Sequence, residues 1–180
     1  MSLTVPGAAA FIAASVFLLA MGADEVTRGA EAIHQEISIA APPAQVYAAL
    51  TEPAQFTKMT TFSMVKTAPP AQIGLTPGEP FSLFGGQIVG RLLELVPNRL
   101  IVEAWRDIGW PQGVYSVARF ELKDDGGGRT TIVFDHTGFP AGRGQHLAEG
   151  WHKNYWEPMK ALFERRGDHD DIKNSLTAAP

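Results

Sequence analysis

The stretch GWHKNYWEPMKALF, residues 150–163, decides the fold because its apolar residues repeat with the period of an amphipathic helix. Apolar side chains recur every three or four positions and predict a helix over residues 145–166 with one wide apolar stripe. Pro158 falls inside this pattern, so we expect the helix to kink or restart there, because proline lacks an N–H and its ring presses on the preceding turn. Trp156 lies on the flank of the stripe, and the direction of its side chain stays open. The stripe consists of Leu147, Trp151, Tyr155, Met159 and Leu162.

Ahead of this helix, the sequence alternates between strand patterns and compact turns. Turn signals stand at Gly85-Gly86, at Pro97-Asn98 and in the run DDGGG at residues 124–128. The segments between them show the two-residue alternation of strands, and residues 114–122 place Ser116 on an apolar face. Strands joined by such short connections favour an antiparallel meander, here of about five strands.

The region before the meander predicts one more strand and two short helices. Residues 33–39 alternate isoleucine with polar residues, and prolines at 42–43 and 53 stand where short helices begin. Residues 66–80 are interpreted as a proline-rich loop. The predicted fold class is therefore α+β, with a curved antiparallel sheet wrapped around the long C-terminal helix and two short helices after the first strand. A gap between such a sheet and its helix is where small apolar ligands fit.

The first 23 residues contain no charged side chain and include the apolar run AAAFIAASVFLLAMG at residues 8–22. Such a run, followed by small residues, is typical of a secretory signal peptide. However, the opening MSLTVPG lacks the usual Lys or Arg, so an uncleaved membrane anchor and a misassigned start remain alternatives. We expect an exported protein, periplasmic or secreted, with a membrane-anchored or cytoplasmic protein as the alternatives. Residues 24–32 are interpreted as a linker, residues 33–166 as the folded domain and residues 167–180 as a polar tail.

Composition is that of a globular protein and excludes several classes of function. The 180 residues are 45% hydrophobic and 19% charged, with a net charge of −4 and no cysteine. The absence of a basic block argues against nucleic acid as a partner. The absence of cysteine excludes thiol nucleophiles, disulfides and cysteine-based zinc sites. A membrane is expected as a partner only through an uncleaved leader.

Residues with catalytic or metal-binding chemistry form no recognisable motif. His136 and Asp135 are neighbours on a predicted strand and therefore point to opposite faces, so they cannot form a dyad. Ser116 has no base nearby in the sequence and no nucleophile-elbow motif, and is interpreted as a small residue beneath the helix. The run DHDD at residues 168–171 is interpreted as solvated tail rather than as a metal site. We therefore predict no catalytic residue, no metal and no cofactor.

Three charged residues lie on predicted strands, namely Arg91, Glu103 and Arg106. Each could enter a pocket as a charged anchor. The interpretation that we favour is that they occupy solvent-facing positions of the sheet.

Four strings occur in an order that resembles one known family: FSLFGGQIVGRLLELVPNRLIVEAWR, WPQGVYSVARFEL, HTGFP and GWHKNYWEPMKALF. They resemble the C-terminal domain of the activator of the ninety-kilodalton heat-shock protein ATPase, within the START and birch-pollen-allergen-like (SRPBCC) superfamily. The resemblance covers residues 33–165 and implies the helix-grip fold. It does not imply one activity, because this superfold includes lipid carriers, hydrolases, cyclases and co-chaperones.

The resemblance also implies that the C-terminal helix forms one wall of a ligand pocket. Aromatic residues and one histidine are candidates to line it as a set, although packing in the core is the favoured interpretation for each aromatic taken singly. The predicted ligand-binding residues are Phe84, Trp105, Trp110, Tyr115, His136, Trp151, Tyr155 and Met159.

The first hypothesis is a binding module that holds a small hydrophobic or amphipathic molecule between sheet and helix. The alternatives are an enzyme of the same superfamily, a hydrolase or cyclase acting on a lipid-like substrate, and a co-chaperone-like module that stimulates a heat-shock protein ATPase. The enzyme hypothesis requires His136, Glu103 or Arg106 to lie inside the cavity with a shifted pKa. We expect the chaperone less, because the eukaryotic co-chaperone uses a preceding N-terminal domain and an export signal would remove this chain from the cytosol.

Overall fold

A computed structural model of the chain describes residues 31–165, in which one antiparallel sheet wraps around a C-terminal helix. The strands are β1 Ala32–Ile39, β2 Gln72–Ile73, β3 Pro80–Leu83, β4 Ile88–Val96, β5 Leu100–Asp107, β6 Ser116–Gly126 and β7 Arg129–Thr137. Their order in the sheet is β1-β7-β6-β5-β4-β3-β2. The predicted α+β class and helix-grip fold are confirmed.

Two β-bulges accompany the curvature of the sheet. One lies in β4 between Leu92 and Glu94, and the other in β6 between Asp124 and Gly126. An extra residue in one strand of a pair bends that strand and increases its twist. The sheet therefore curves over its buried face, where the core forms against the helix.

Two short helices follow β1, as predicted. They are α1 Pro43–Thr51 and α2 Pro53–Thr60, and each begins with a proline, whose missing N–H would have no partner in the first turn of a helix. Val46, Phe56 and Met59 of these helices are buried in the core. The two helices thus contribute to the core between sheet and helix.

The predicted loop over residues 66–80 contains the short strand β2, so six strands rather than about five follow the helices. Gln72 pairs with Ser82 and Ile73 with Phe81. A strand of two residues cannot be seen in a sequence pattern, because alternation needs several residues to be recognised. It is defined by its backbone pairing with the neighbouring β3.

The C-terminal helix begins as α3 Gly144–Trp151, continues as a π-helical turn at His152–Trp156 and is α-helical again over residues 157–165. The backbone N–H of Glu157 donates to the carbonyl of His152, five residues back. The next residue is Pro158, which has no N–H to donate and whose ring would press on the carbonyl four residues back in a regular α-helix. The interruption expected at Pro158 therefore takes the form of a π turn.

The π turn also explains the position of Trp156. In a regular α-helix, residues five apart point about 140° away from each other. With hydrogen bonds between residues five apart, Trp151 and Trp156 instead lie on the same side of the helix, and their rings stack with centroids 5.8 Å apart. Both indoles are buried in the core, 2% and 1% exposed.

The segments predicted as a leader, residues 1–23, and as a polar tail, residues 167–180, lie outside the described residues, as does most of the predicted linker. At the end of that linker, the carboxylate of Glu31 accepts hydrogen bonds from the backbone N–H groups of Gly142 and Gly144, both at 2.7 Å. Within the described range, we find no helix with the length and apolar character needed to cross a membrane.

Candidate functional site

A cavity of about 470 Å³ lies between the first half of the C-terminal helix, the adjoining ends of β4 and β5, and the loop after α2. We call it the helix–sheet cavity. Met64 and Val65, both exposed, stand at its outer side, whereas its inner wall is buried and aromatic. Polar groups are few and come from Gln87, Asp107, His146 and Asn154. The principal apolar and aromatic residues of the wall are Phe84, Ile88, Trp105, Leu147, Trp151 and Tyr155.

Phe84 contributes to this wall from an unusual backbone conformation. Its φ is 51°, a left-handed value that is an outlier for a bulky residue, and Gly85 follows at φ 70°. The Phe84 ring makes edge contacts with Phe56 and Tyr155, in both cases with ring centroids 5.5 Å apart. Strain of this kind persists where the surrounding packing holds it, and it occurs often at ligand-binding sites.

The eight residues predicted to bind a ligand fall into two groups. Phe84, Trp105, Trp151 and Tyr155 line the helix–sheet cavity. The other four do not: Trp110, His136 and Met159 are buried in the core, and Tyr115 is 48% exposed. Contact of any of the eight residues with a ligand stays a prediction.

His136 is fully buried in a directional chain of hydrogen bonds. The indole N–H of Trp151 donates to His136 Nδ1 at 3.0 Å. Because an indole nitrogen only donates, Nδ1 must accept, and the proton of the neutral ring lies on Nε2. That Nε2–H donates to Ser116 Oγ at 2.7 Å, and the serine hydroxyl donates to the carbonyl of Trp105 at 3.0 Å. Burial lowers the pKa of His136 to about 4, so the ring is neutral at physiological pH.

The Ser116–His136 pair has the distance of a nucleophile and its base, but its proton is in the wrong place. A base that activates serine must offer an unprotonated nitrogen to the hydroxyl. Here Nε2 already carries the proton, and Nδ1 faces an indole rather than a carboxylate. The pair therefore connects β6, β7 and the helix as a buried polar link.

This link has no signal close to Ser116 in the sequence, because the two residues are 20 positions apart in the chain. The expectation that Asp135 and His136 point apart is confirmed. The Oδ1 atom of Asp135 lies 2.7 Å from His34 Nδ1 on the outer face, whereas His136 is fully buried. The β6–β7 hairpin pairs Ala118 with His136, which makes Ser116 a diagonal neighbour of His136 on the inner face. Aligning β6 and β7 on either side of the glycine turn would have predicted that Ser116 and His136 are neighbours.

Glu103 is buried, and the favoured interpretation of a solvent-facing position is wrong for this residue. It lies between Ile101 and Trp105 on the inner face of β5 and is 7% exposed. Glu103 shares alternate positions of β5 with Ile101 and Trp105, and this period of two is the signal that could have predicted its burial. Burial raises the pKa of Glu103 to about 8, so its carboxyl is protonated at neutral pH. Arg91 and Arg106 instead donate to backbone carbonyls, of Gly78 and Trp110 respectively.

The hydroxyl of Tyr155 and the indole N–H of Trp105 belong to residues of the cavity wall, but both atoms are buried and make no hydrogen bond. Burial, together with the nearby Glu103, raises the pKa of Tyr155. The Trp105 indole lies close enough to offset this rise in part, but the pair does not reach hydrogen-bond geometry. The Oδ1 atom of Asn154, another residue of the wall, is also buried without a partner.

Metal-ligating side chains do not converge anywhere in residues 31–165: no three of His, Asp and Glu lie close enough together to hold an ion. The DHDD run lies beyond this range. The described residues form instead an apolar cavity with a few hydrogen-bonding groups in its wall.

The sequence model of the family "Activator of Hsp90 ATPase homolog 1-like protein" matches residues 40–164. The chain belongs to this family. The match spans α1 to the C-terminal helix and so includes the whole wall of the helix–sheet cavity. The resemblance found in the strings FSLFGGQIVG and GWHKNYWEP is thereby confirmed.

Named relatives of this activator-like domain agree with the assignment. The chain is 31% identical over 131 residues to an uncharacterized protein of Schizosaccharomyces pombe, with 73% of this chain and 37% of that protein covered. It is 30% identical to the human activator of 90 kDa heat shock protein ATPase homolog 1, with 63% and 34% covered. The chain thus spans about a third of the length of the curated relatives that it matches.

Among solved structures, the activator-like domain resembles one described as an HSP90 activator from Plasmodium falciparum. The TM-score is 0.67 at 23% identity, and the likeness covers 74% of this chain and 96% of the other. At this level of identity the likeness concerns the fold, and the fold is the one described above.

Proposed function

We propose that this domain binds a small hydrophobic or amphipathic molecule in the helix–sheet cavity. The observation that carries the proposal is the cavity itself, about 470 Å³ with a mainly apolar and aromatic wall. Ligand sites in proteins have this range of volume and combine an apolar wall with a small number of polar groups that orient the ligand. The strained backbone of Phe84, a residue of the wall, supports the same proposal.

Gly150 offers a way to close the cavity without disturbing its wall. This helical residue lines the cavity, and a Cβ atom added there meets no atom within 4 Å. A large side chain at this position would therefore enter the space that a ligand needs, whereas a methyl group would leave most of it open.

We expect Gly150→Phe to weaken ligand binding by about tenfold or more, because the ring occupies the cavity. The matched control is Gly150→Ala, which should keep binding and raise the free energy of unfolding by about 0.5–1 kcal/mol through helix propensity. Native mass spectrometry for co-purified ligand and displacement of a fluorescent apolar dye measure the effect. Equal binding by both variants, or no dye binding by the unmodified domain, would contradict the proposal.

A second candidate is a co-chaperone-like interaction with a 90-kDa heat-shock protein. The observation that favours it is the 30% identity to the human activator of the ATPase of that chaperone. Because the match spans 34% of the human protein, the activity of that whole protein is only proposed for this chain. In an ATPase assay with a purified 90-kDa chaperone, saturable stimulation by this domain would support the candidate, and an unchanged rate would reject it.

If residues 1–23 direct export, as expected, the second candidate becomes less favourable, since a cytosolic chaperone and an exported domain lie in different compartments. Mass determination of the mature N-terminus decides between cleavage within this leader and an intact chain.

A further inference from the structure

We infer that the domain docks on an anionic lipid surface through the loop that borders the helix–sheet cavity. This loop, which we call the mouth loop, comprises residues 61–71, between α2 and β2. The inference rests on the proposed function, because it names the surface from which an apolar ligand would reach the cavity. Three observations carry it: exposed apolar side chains, the local charge and the hydrogen bonds that hold the loop.

The first observation is that the mouth loop exposes apolar side chains at the cavity. Met64 is 75% exposed and Val65 is 41% exposed, and both also line the helix–sheet cavity. Their apolar surface therefore continues into the wall that residues such as Phe84 and Ile88 form. Single exposed apolar residues are common on proteins, but adjacent ones that border an apolar cavity are typical of a contact site for a membrane or a partner.

The second observation is that the charge around the mouth loop is positive, in a chain whose net charge is −4. Residues 53–78 contain no aspartate or glutamate, and their charged residues are Lys58 and Lys66, both exposed. Within the described part of the chain, neither lysine forms an ion pair. A third cation lies beside the loop, since the guanidinium carbon of Arg165 is 4.9 Å from the centre of the Phe62 ring.

The acidic residue among those described in the cavity wall lies on a different element. Asp107 ends β5, and its Oδ1 atom accepts hydrogen bonds from Gln87 Nε2 at 3.0 Å and from the backbone N–H of Gly109 at 2.7 Å. These donors offset part of the charge of the carboxylate. The positive charge of the mouth loop is therefore not matched by an acidic residue of the loop itself.

The third observation is that hydrogen bonds hold both ends of the mouth loop. At its start, the buried Ser63 donates from Oγ to the carbonyl of Thr60 at 2.8 Å and accepts from the N–H of Val65 at 3.1 Å. At its end, the N–H of Ala71 donates to Thr57 Oγ1 at 2.9 Å. Apolar side chains on a loop with fixed ends lose little conformational freedom on docking, which favours their use in recognition.

An anionic lipid surface fits the apolar side chains and the positive charge together. Apolar side chains enter the boundary between headgroups and acyl chains, and nearby lysines are attracted to anionic headgroups. An apolar ligand dissolved in the membrane would then reach the cavity without crossing water. This contact is separate from the membrane attachment expected through residues 1–23, which contain no charged side chain and so would not select anionic lipid.

The test uses a polarity-sensitive fluorophore attached to a single cysteine of the full chain, which has no cysteine of its own. We expect the label on Met64→Cys to brighten and shift to the blue with vesicles of phosphatidylcholine and phosphatidylglycerol, and to stay unchanged with phosphatidylcholine alone. Leu75→Cys is the matched control, because Leu75 is 77% exposed and lies in the loop that follows β2, outside the mouth loop. Its label should respond to neither kind of vesicle.

A second substitution in the labelled Met64→Cys chain tests the role of charge. Lys66→Gln should weaken the affinity for the anionic vesicles by about fivefold, because one cation near the headgroups is lost. Lys123→Gln, at an exposed position of β6, is the control and should change this affinity by less than about twofold. Both substitutions are at the surface, so the fold should be kept. Added salt should weaken the response of the label at position 64, since it screens the lysines.

An unresponsive label at position 64, equal responses at positions 64 and 75, or equal responses to the two kinds of vesicle would each overturn the inference. A response at position 64 to a purified 90-kDa heat-shock protein but not to vesicles would also overturn it, and would assign the mouth loop to a protein partner. Dye displacement from the cavity tests the proposed function separately. Retained dye binding leaves that function intact when the vesicle response fails, whereas a domain that binds no dye loses the proposed function itself.

Discussion

Replacing Trp151 by alanine is expected to lower the free energy of unfolding by about 5 kcal/mol, the largest effect of any single substitution considered. The indole is 2% exposed and packs against Phe134, with ring centroids 4.4 Å apart, and against Tyr155 at 4.2 Å. Its removal leaves a large cavity and also deprives His136 Nδ1 of its donor. Since domains of this size are stable by about 5–15 kcal/mol, the variant should be partly unfolded at moderate temperature. Equilibrium denaturation in urea measures the loss.

Trp151→Phe separates packing from hydrogen bonding at this position. It keeps an aromatic ring but removes the N–H, and we expect a loss of about 2 kcal/mol. Nitrogen-15 NMR of the imidazole supplies a second measurement, with the proton of His136 on Nε2 in the unmodified protein and a mixture of tautomers in Trp151→Phe. Tyr115→Ala, at an exposed position, should stay within about 0.5 kcal/mol. A loss below about 1 kcal/mol for Trp151→Ala would show that the helix does not depend on this indole.

Glu103→Gln is expected to stabilise the protein increasingly as the pH rises. Burial raises the pKa of Glu103 from its ordinary 4.5 to about 8, so between these values the folded state holds one proton more than the unfolded state. The stability associated with this group is fully present below pH 4.5 and is lost as the pH rises toward 8, by about 1.4 kcal/mol per unit. Glutamine stays neutral throughout. Its advantage should therefore be near zero at pH 4.5 and about 3 kcal/mol at pH 7.

His136 changes the profile of the unmodified protein in the opposite sense. Burial lowers its pKa from 6.5 to about 4, so its contribution to stability is present above pH 6.5 and is lost as the pH falls toward 4. Between about pH 4.5 and 6.5 the contributions of Glu103 and His136 oppose each other, and the unmodified protein should change little in stability. Above pH 6.5 the effect of Glu103 prevails and stability should fall.

Urea denaturation of Glu103→Gln and of the unmodified protein at several pH values between 4.5 and 8 tests this prediction. The difference between the two curves isolates residue 103, because the other groups contribute equally to both. Glu94→Gln, at an exposed position of the neighbouring β4, is the control and should differ by less than about 0.5 kcal/mol at every pH. Destabilisation by Glu103→Gln at pH 7 would mean that the carboxylate is ionised and satisfied in the folded protein.

Much of the fold could be predicted from sequence, because it follows from periods that neighbouring residues create. The stripe from Leu147 to Leu162 placed the C-terminal helix, and the glycine and proline turns placed the strands between residues 81 and 137. The features that the sequence did not predict are short or irregular. The two-residue β2 has no period of its own, and the π turn depends on how the backbone avoids Pro158. The orientation of Trp156 follows from that turn and so could not be read from an α-helical period.

The candidate site could be predicted only in part. Four of the eight proposed residues, all large aromatics on the helix, on β5 or in the turn between β3 and β4, line the cavity. His136 was judged by its neighbour Asp135, although its partners Ser116 and Trp151 come from another strand and from the helix. Glu103 was assigned to solvent by its charge, although the alternation of β5 places it inside. Charge is a weak guide to burial where a fold can keep the group neutral.

The sequence by itself determined the helix-grip architecture and the family, because local periodicity, turn residues and motif order are properties of neighbouring positions along the chain. Only the tertiary structure decided which polar groups are satisfied and which are not. His136 is satisfied because strand pairing and helix packing bring Ser116 and Trp151 to its two nitrogens. The Tyr155 hydroxyl and the Trp105 indole N–H are buried without a hydrogen-bond partner. Those distances, of a few ångströms between residues far apart in the chain, depend on packing and have no local signature.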